Sequence, residues 1–559
     1  MSEEIKNICL VAITRLGDML QASPTIYALK QRYPRAKITV VIEKQFAMIC
    51  EGIPGVDEVY VLDLGMVYRC LTRDYQDVVE AYLYLDQAIK ELREKHFDCC
   101  INMSSSGYTA LLLRMLDIKD SRGWISDEEG NRLISNPWAM LFAAFIFHAN
   151  RNYNSINIVD IFRCSAGLRE FPRKLMYNPK PEDEEYAKKF LQDNKLDDDS
   201  PLICVQVGAS QEKRQWAPAH FARLTKLLVE ELGARVVYTG SGSEQTLIEK
   251  VTKFYSSPRA ISAAGKTRLG QLAGLLKQAK LLVTGDTGTM HMAVSVNTPV
   301  VALFLASAYC YETGPYSEGN IILEPKVSCY PCNPNFSCLR PDCHEQVSAE
   351  LVKKMVELRL HKTSAEMVNY VISPSEVNPA NLAIKVSYYD EDGFLDFKAI
   401  NGFIVRDGVD EKLQEAARQT YRALWKDEFA AVPGAEIWAR IKEVSRIAIP
   451  GIHELDTLAG EGLTLIERLI DLIMDSSGNP KFLGEINAAC ETIDRNIEGI
   501  GLAHTMFGAL TRMFVMEKQN LRGSDALTLA RDTKNRYLSL KRRAEKFSRL
   551  YSYYFSTLN

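Results

Sequence analysis

Ile8-Cys9-Leu10-Val11-Ala12-Ile13 is an unbroken apolar run, and the turn Arg15-Leu16-Gly17-Asp18 follows it almost at once. A strand without polar alternation is buried on both faces, which is the signature of a parallel sheet covered by helices. The residues beyond it keep that pattern. Ile26, Leu29 and Tyr33 share one face of a helix ended by Pro34, and Ile38–Ile42 and Val59–Leu62 read as two more strands. The stretch 65–95 is helical, Cys99–Asn102 is a strand, Tyr108–Leu116 a helix, and Trp138–Phe147 a short apolar helix after Pro137. Strands alternating with helices mean βαβ units.

Asn178-Pro179-Lys180-Pro181 reads as a linker, after which the alternation restarts. Leu202–Val207, Arg235–Thr239, Leu281–Thr284 and Val300–Phe304 are strands; Pro218 opens a helix at the position proline favours, and Leu269–Gln278 is another. The expected organisation is an N-terminal Rossmann-like lobe over 1–178, a second such lobe over 179–360, and an accessory region over 375–559. That region combines a β-hairpin (382–400, with an Asp-Gly turn) with helices that carry the stripe Leu463, Ile466, Leu469, Ile470 and Ile473. In open α/β sheets ligands sit beyond the carboxyl ends of the strands, so the two lobes are expected to face a cleft.

Composition narrows the class. The 559 residues are 47% apolar and 25% charged with a net charge of −4, which excludes collagen-like and disordered chains and supplies no basic field for nucleic acid. The N-terminus lacks a basic segment before its apolar run, so a signal peptide is not expected, and the longest apolar stretch is half a membrane span. The expectation is a cytoplasmic protein, at most peripheral to the inner membrane. Thirteen cysteines are too few for a disulfide scaffold at this length, in keeping with a reducing compartment.

Three turns carry chemistry. Asp18 follows the first strand and reads either as a general base or as a helix N-cap. Gly285-Asp286-Thr287-Gly288-Thr289-Met290-His291 joins a buried strand to a helix through small residues, which suits either a phosphate on free N–H groups or an ordinary capped turn. Gly208–Pro218 places Lys213 and Arg214 side by side in another strand-to-helix loop, either to hold a diphosphate or as a solvated loop anchored by Trp216.

Taken together, these stretches resemble glycosyltransferase family 9, the heptosyltransferases of bacterial cell-surface glycan assembly. Arg15-Leu16-Gly17-Asp18, Pro24, Leu29-Lys30, Pro34, Ala36 and Ile38 occur in the family's order, as do Gly208-Ala209 with Trp216 and Asp286-Thr287-Gly288 with His291, over about residues 5–360. The resemblance implies a GT-B fold and inverting transfer from an ADP-heptose donor without a catalytic metal. It implies Asp18 as general base, with Gly17 beside it in the same turn. Asp286, Thr287, Gly288 and Thr289 would hold the diphosphate, supported by the His291 region, and Glu244 would be the ribose-binding acid. The family usually has lysine two residues before the tryptophan; Arg214 stands there in this chain with Lys213 beside it, so either could neutralise the leaving diphosphate. The acceptor would be a glycolipid such as a lipopolysaccharide core, or a glycoprotein. Another sugar nucleotide is one alternative; a non-catalytic scaffold built on the helical region is another.

Cys329-x2-Cys332-x5-Cys338-x4-Cys343 has the spacing of a structural zinc or iron site, with unligated loop thiols as the alternative. Over 531–550 eight Lys/Arg face two acids, followed by Tyr551, Tyr553, Tyr554 and Phe555; this reads as a solvated helix with an aromatic plug, or as a contact for anionic lipid.

Overall fold

The computed structural model describes the chain apart from residues 1–4, 13–14, 73–74, 339, 371, 374–376, 379, 403–404, 407–408, 430–437, 439–440, 442–446, 476–479, 524 and 559. Two compact units emerge: residues 1–130 with 156–407, and residues 131–155 with 408–559.

In the first unit, β1 (Asn7–Val11), β2 (Lys37–Glu43), β3 (Glu58–Leu62), β4 (Cys99–Asn102) and β5 (Asp120–Ser126) form a parallel array in the order β3-β2-β1-β4-β5. The opening apolar run is its centre: Cys9, Leu10 and Val11 are fully buried because helices cover both faces. Helix α1 (Leu16–Arg32) follows β1 and carries Pro24 in its interior, with Tyr33 as its C-cap.

A second sheet contains β6 (Leu202–Gln206), β7 (Arg235–Thr239), β8 (Ala260–Ser262), β9 (Leu281–Gly285), β10 (Val300–Leu303), β11 (Ile321–Pro325), β12 (Leu382–Tyr389) and β13 (Leu395–Ala399). Their order is β13-β12-β11-β10-β9-β6-β7-β8, parallel from β8 through β11 and antiparallel at β12 and β13. The chain leaves β6 to one side and returns at β9 on the other. The crevice at the ends of β6 and β9 is therefore a topological switch point, where α/β sheets bind ligands. Helix α2 (Gly288–Ser295) starts there. The two doubly wound sheets are the two Rossmann-like lobes of the GT-B fold.

Two segments sit elsewhere than expected. The hairpin is not part of the helical region: β12 pairs along β11 from Ile321↔Val386 to Pro325↔Leu382 and extends the second sheet. Burial of Ile384 and Val386 drives this pairing, and the buried Glu324 forms an ion pair across it with the half-buried Lys385. The hairpin is also pinned to helix Ile158–Ser165, which packs on α1. Asp160 accepts from the Leu395 N–H at 3.1 Å and the Tyr316 hydroxyl at 2.8 Å, while the Arg163 guanidinium lies 4.0 Å from both the Phe171 and Phe394 rings. The apolar helix near Trp138 (Pro137–Phe145) belongs to the second unit, not to the first lobe.

The second unit is helical and built on an aromatic core. Tyr421 meets Phe145 at 5.4 Å and Phe547 at 5.0 Å, both edge-on, and stacks along Trp425. Helix Ile452–Met474 buries Leu455, Ala459, Gly462 and Ile466, so of the expected stripe only Ile466 is fully covered. Gly462 is required there, since a β-carbon would lie 2.3 Å from the Tyr537 ring. The basic helix Ala526–Leu558 does not present its charge freely. Arg543 makes two 2.8 Å bonds to Glu517, Lys546 reaches Asp427 at 2.6 Å, and Lys534, Lys541, Arg542 and Arg549 each pair with an acid. Of the terminal aromatics, Tyr551 is buried and stacks between Phe547 and Phe555.

Candidate active site

The ends of β1, β6 and β9 open into a cleft of about 640 Å³ lined by both lobes of the first unit, Asp18, Arg214, Glu244, Asp286 and His291 among them. It brings together every expected catalytic and donor-binding residue except Lys213, and none of the four clustered cysteines.

Asp18 is not the N-cap of α1. Arg15 takes that position and Asp18 lies in the first turn, half-buried, where a carboxylate is favoured by the helix dipole. The starts of α1 and α2 meet face to face. A β-carbon on Gly17 would stand 3.0 Å from His291 Cδ2 and 3.9 Å from Gly288 Cα, and one on Gly288 would stand 2.9 Å from Leu16 Cδ2. Two positive helix ends thus converge on one space, which favours an anion.

The turn after β9 is built to hold that opening. Thr287 caps α2, its hydroxyl accepting from the Met290 N–H at 3.4 Å and contacting Thr284 Oγ1 at 3.1 Å. His291 is buried, and burial holds its imidazole down at about 4, with Asp286 opposing the shift; it is therefore neutral at physiological pH. Among the described residues its Nδ1 has no hydrogen-bond partner.

The two adjacent cations separate. Arg214 donates to Asp286 Oδ2 at 3.1 Å and to Ser307 Oγ at 2.8 Å, and Asp286 Oδ1 accepts from Thr313 at 3.2 Å. This leaves the guanidinium fixed at the cleft wall. Lys213 lies apart from the residues that line the cleft: its ammonium donates to the carbonyls of Asn333, Pro334 and Phe336 at 2.9, 3.1 and 2.6 Å. Three carbonyls saturate its three donors.

Those carbonyls belong to the cysteine segment. Its buried His344 contacts the Lys213 carbonyl through Nε2 at 2.9 Å. Cys329 and Cys338 are exposed and Cys343 is buried. Burial pushes the Cys332 thiol up to about 12, reinforced by the neighbouring Cys329 thiol. Among the described residues no group of three or more His, Cys, Asp or Glu is arranged to hold a metal. The donor types expected for zinc or iron are present, with Cys332 near Cys329, Cys338 and Cys343, and Lys213 ties down the neighbouring backbone at residues 333–336.

Glu244 folds back over two glycines. Its Oε2 accepts from the Ser241 N–H at 2.7 Å and the Ser241 hydroxyl at 2.9 Å. A β-carbon on Gly208 would lie 1.6 Å from Oε1, so only glycine leaves room for this carboxylate. Gln206, absent from the sequence-based set, supplies the other bond, Nε2 to Oε1 at 2.8 Å. The one signal that could have found it is a polar residue ending an otherwise apolar strand.

The profile of glycosyltransferase family 9 (heptosyltransferase) matches residues 86–340. The lipopolysaccharide heptosyltransferase 2 of Salmonella typhimurium is 24% identical over 310 residues, covering 53% of this chain and 82% of that protein. The lipopolysaccharide heptosyltransferase 3 of Escherichia coli K12 is 27% identical over 311 residues, covering 55% and 84%. Among solved structures, a family 9 glycosyltransferase from Veillonella parvula superposes with a TM-score of 0.51 at 22% identity, covering 65% of this chain and 99% of that one, which supports the fold. None of the described helices is long and apolar enough to cross a membrane. This chain is a glycosyltransferase similar to the heptosyltransferases of family 9.

Proposed function

We propose that the protein transfers a heptose from ADP-heptose, with inversion, to a cell-envelope acceptor of the lipopolysaccharide-core type. The observation that carries this reading is the convergence of the α1 and α2 N-termini on one cleft that also holds the Asp18 carboxylate and the Arg214 guanidinium. Inverting transfer needs a base on the acceptor side and charge stabilisation on the leaving side. Asp18, from the first lobe, takes the proton of the acceptor hydroxyl as its oxygen attacks the anomeric carbon. The bond to the β-phosphate oxygen breaks, and the charge growing on ADP is met by Arg214 and the amides of the Thr287–Thr289 turn. Glu244 accepts from the ribose hydroxyls. The cleft walls exclude water and so limit donor hydrolysis. The names of the similar proteins support the heptose and the acceptor class.

The test is product mass analysis with ADP-heptose and a heptose-deficient core acceptor, with Asp18→Asn as control. A product one heptose heavier, lost in the variant, is expected. Unchanged turnover in Asp18→Asn would remove the base, and turnover with UDP- or GDP-sugars alone would remove the donor.

A further inference from the structure

Gln206 ends β6 at the switch point and is 4% exposed. Its amide joins three separate loops. Oε1 accepts from the Thr239 hydroxyl at 2.9 Å, at the end of β7, and from the Thr289 hydroxyl at 3.1 Å, in the first turn of α2. Nε2 donates to Glu244 Oε1 at 2.8 Å. The amide can face only one way, because a carboxylate accepts and cannot donate. The side chain therefore links the diphosphate side of the cleft, through Thr289, to the carboxylate side, through Glu244. Ser241 holds the opposite oxygen of Glu244, so the carboxylate is fixed from both ends over the Gly208 backbone.

We propose that Gln206 is a positioning residue for the nucleotide-sugar donor, setting the Glu244 carboxylate and the Thr289 hydroxyl in one register. This rests on the donor reading given above. Burial alone would be served by methionine, which has the same length; the bond to Glu244 would not. Gln206→Glu keeps the acceptor for both threonines and sets a second carboxylate against Glu244. Like charges that close share a proton, so this defect must ease as pH falls.

The experiment measures ADP binding by calorimetry at pH 7.5 and about 5.5, with donor KM and kcat, for wild type, Gln206→Met, Gln206→Glu and Thr239→Val. Wild type is expected to bind ADP. Both Gln206 variants are expected to lose about tenfold to a hundredfold in affinity at the higher pH, since a hydrogen bond to a charged group is lost. Donor KM rises while kcat holds within about threefold, because the interaction acts on binding. The Gln206→Glu deficit relative to wild type shrinks at the lower pH and the Gln206→Met deficit does not. Thr239→Val, which removes a bond to the same amide away from the cleft, lowers the melting temperature without moving KM. Wild type that fails to bind ADP would remove the donor reading itself. Wild type that binds, with Gln206 variants within twofold of it, would overturn the positioning role. So would equal deficits at both pH values matched by Thr239→Val, the outcome of a merely structural amide.

Discussion

Gly17 and His291, on different lobes, approach so closely that a β-carbon on the glycine would stand 3.0 Å from the imidazole Cδ2. The ring cannot step aside easily, since it is 4% exposed. Gly17→Ala must therefore push the starts of α1 and α2 apart. Overpacking of this kind costs about 1–3 kcal/mol. A drop of at least about tenfold in kcat/KM is expected with it, because small misplacements at a reacting centre are costly. Gly288→Ala meets the far end of Leu16, a flexible chain, and is expected to lower the melting temperature less. Thermal melts and initial rates of the two variants check the order.

Arg214 and Lys213 are expected to behave oppositely. Arg214→Ala strips the cleft of a guanidinium fixed by Asp286 and Ser307 and should weaken ADP binding by about tenfold to a hundredfold; Arg214→Lys, which keeps charge but not the fork, falls between. Lys213→Ala should leave ADP affinity within about twofold, since a removed surface-loop contact acts locally. It should instead speed proteolysis near residues 333–336, whose carbonyls it releases. Calorimetry and limited proteolysis separate the two.

His291 predicts an acid-side loss of stability. Its folded value of about 4 lies below the ordinary 6.5, so the unfolded chain binds the extra proton between those values. The contribution is complete above pH 6.5 and is lost as pH falls towards 4. A shift of this size corresponds to about 3 kcal/mol. Urea unfolding at pH 7 and pH 4.5 should show a smaller decline for His291→Gln than for wild type.

The cysteine segment should show two classes of thiol. Cys329 and Cys338 are exposed and should react with iodoacetamide first, while Cys332, held near 12, and the buried Cys343 should lag. Timed alkylation with mass mapping reads this directly. Protection of all four thiols that a chelator releases would instead reveal a bound metal.

In the helical unit, Arg543 neutralises both Glu517 and Glu428 in the interior. Arg543→Ala strips the buried Glu517 carboxylate of both its guanidinium bonds, while Glu428 keeps Arg542 and Lys546, and should cost about 3–5 kcal/mol in denaturant unfolding. Lys541→Ala, which breaks a half-exposed pair at 3.5 Å, should change stability by less than about 0.5 kcal/mol.

The two sheets and the positions of the three strand-to-helix turns are legible in the sequence because their signals are local. A strand buried on both faces must be continuously apolar, as at 8–12 and 281–284, and a turn that admits an anion must be small, as at 286–289. The hairpin was legible as a hairpin for the same reason: Asp390 and Gly393 close its turn through neighbouring backbone groups.

Where side chains point was not local, and there the linear reading failed or stayed open. Lys213 and Arg214 are adjacent in the chain, yet one is claimed by carbonyls about 120 residues away and the other by Asp286, 72 residues away. Asp18 became a first-turn carboxylate instead of a cap because the helix begins earlier, at Leu16. The hairpin joined the second sheet because β11 offered an unfilled edge, and the basic helix lost its free charge to acids on other helices. Gln206 carried no motif; its role arises where Thr239, Glu244 and Thr289 converge. Strand and turn types follow from short-range sterics and burial, whereas the owner of each charge and hydrogen bond is chosen by partners that only the folded chain brings within reach.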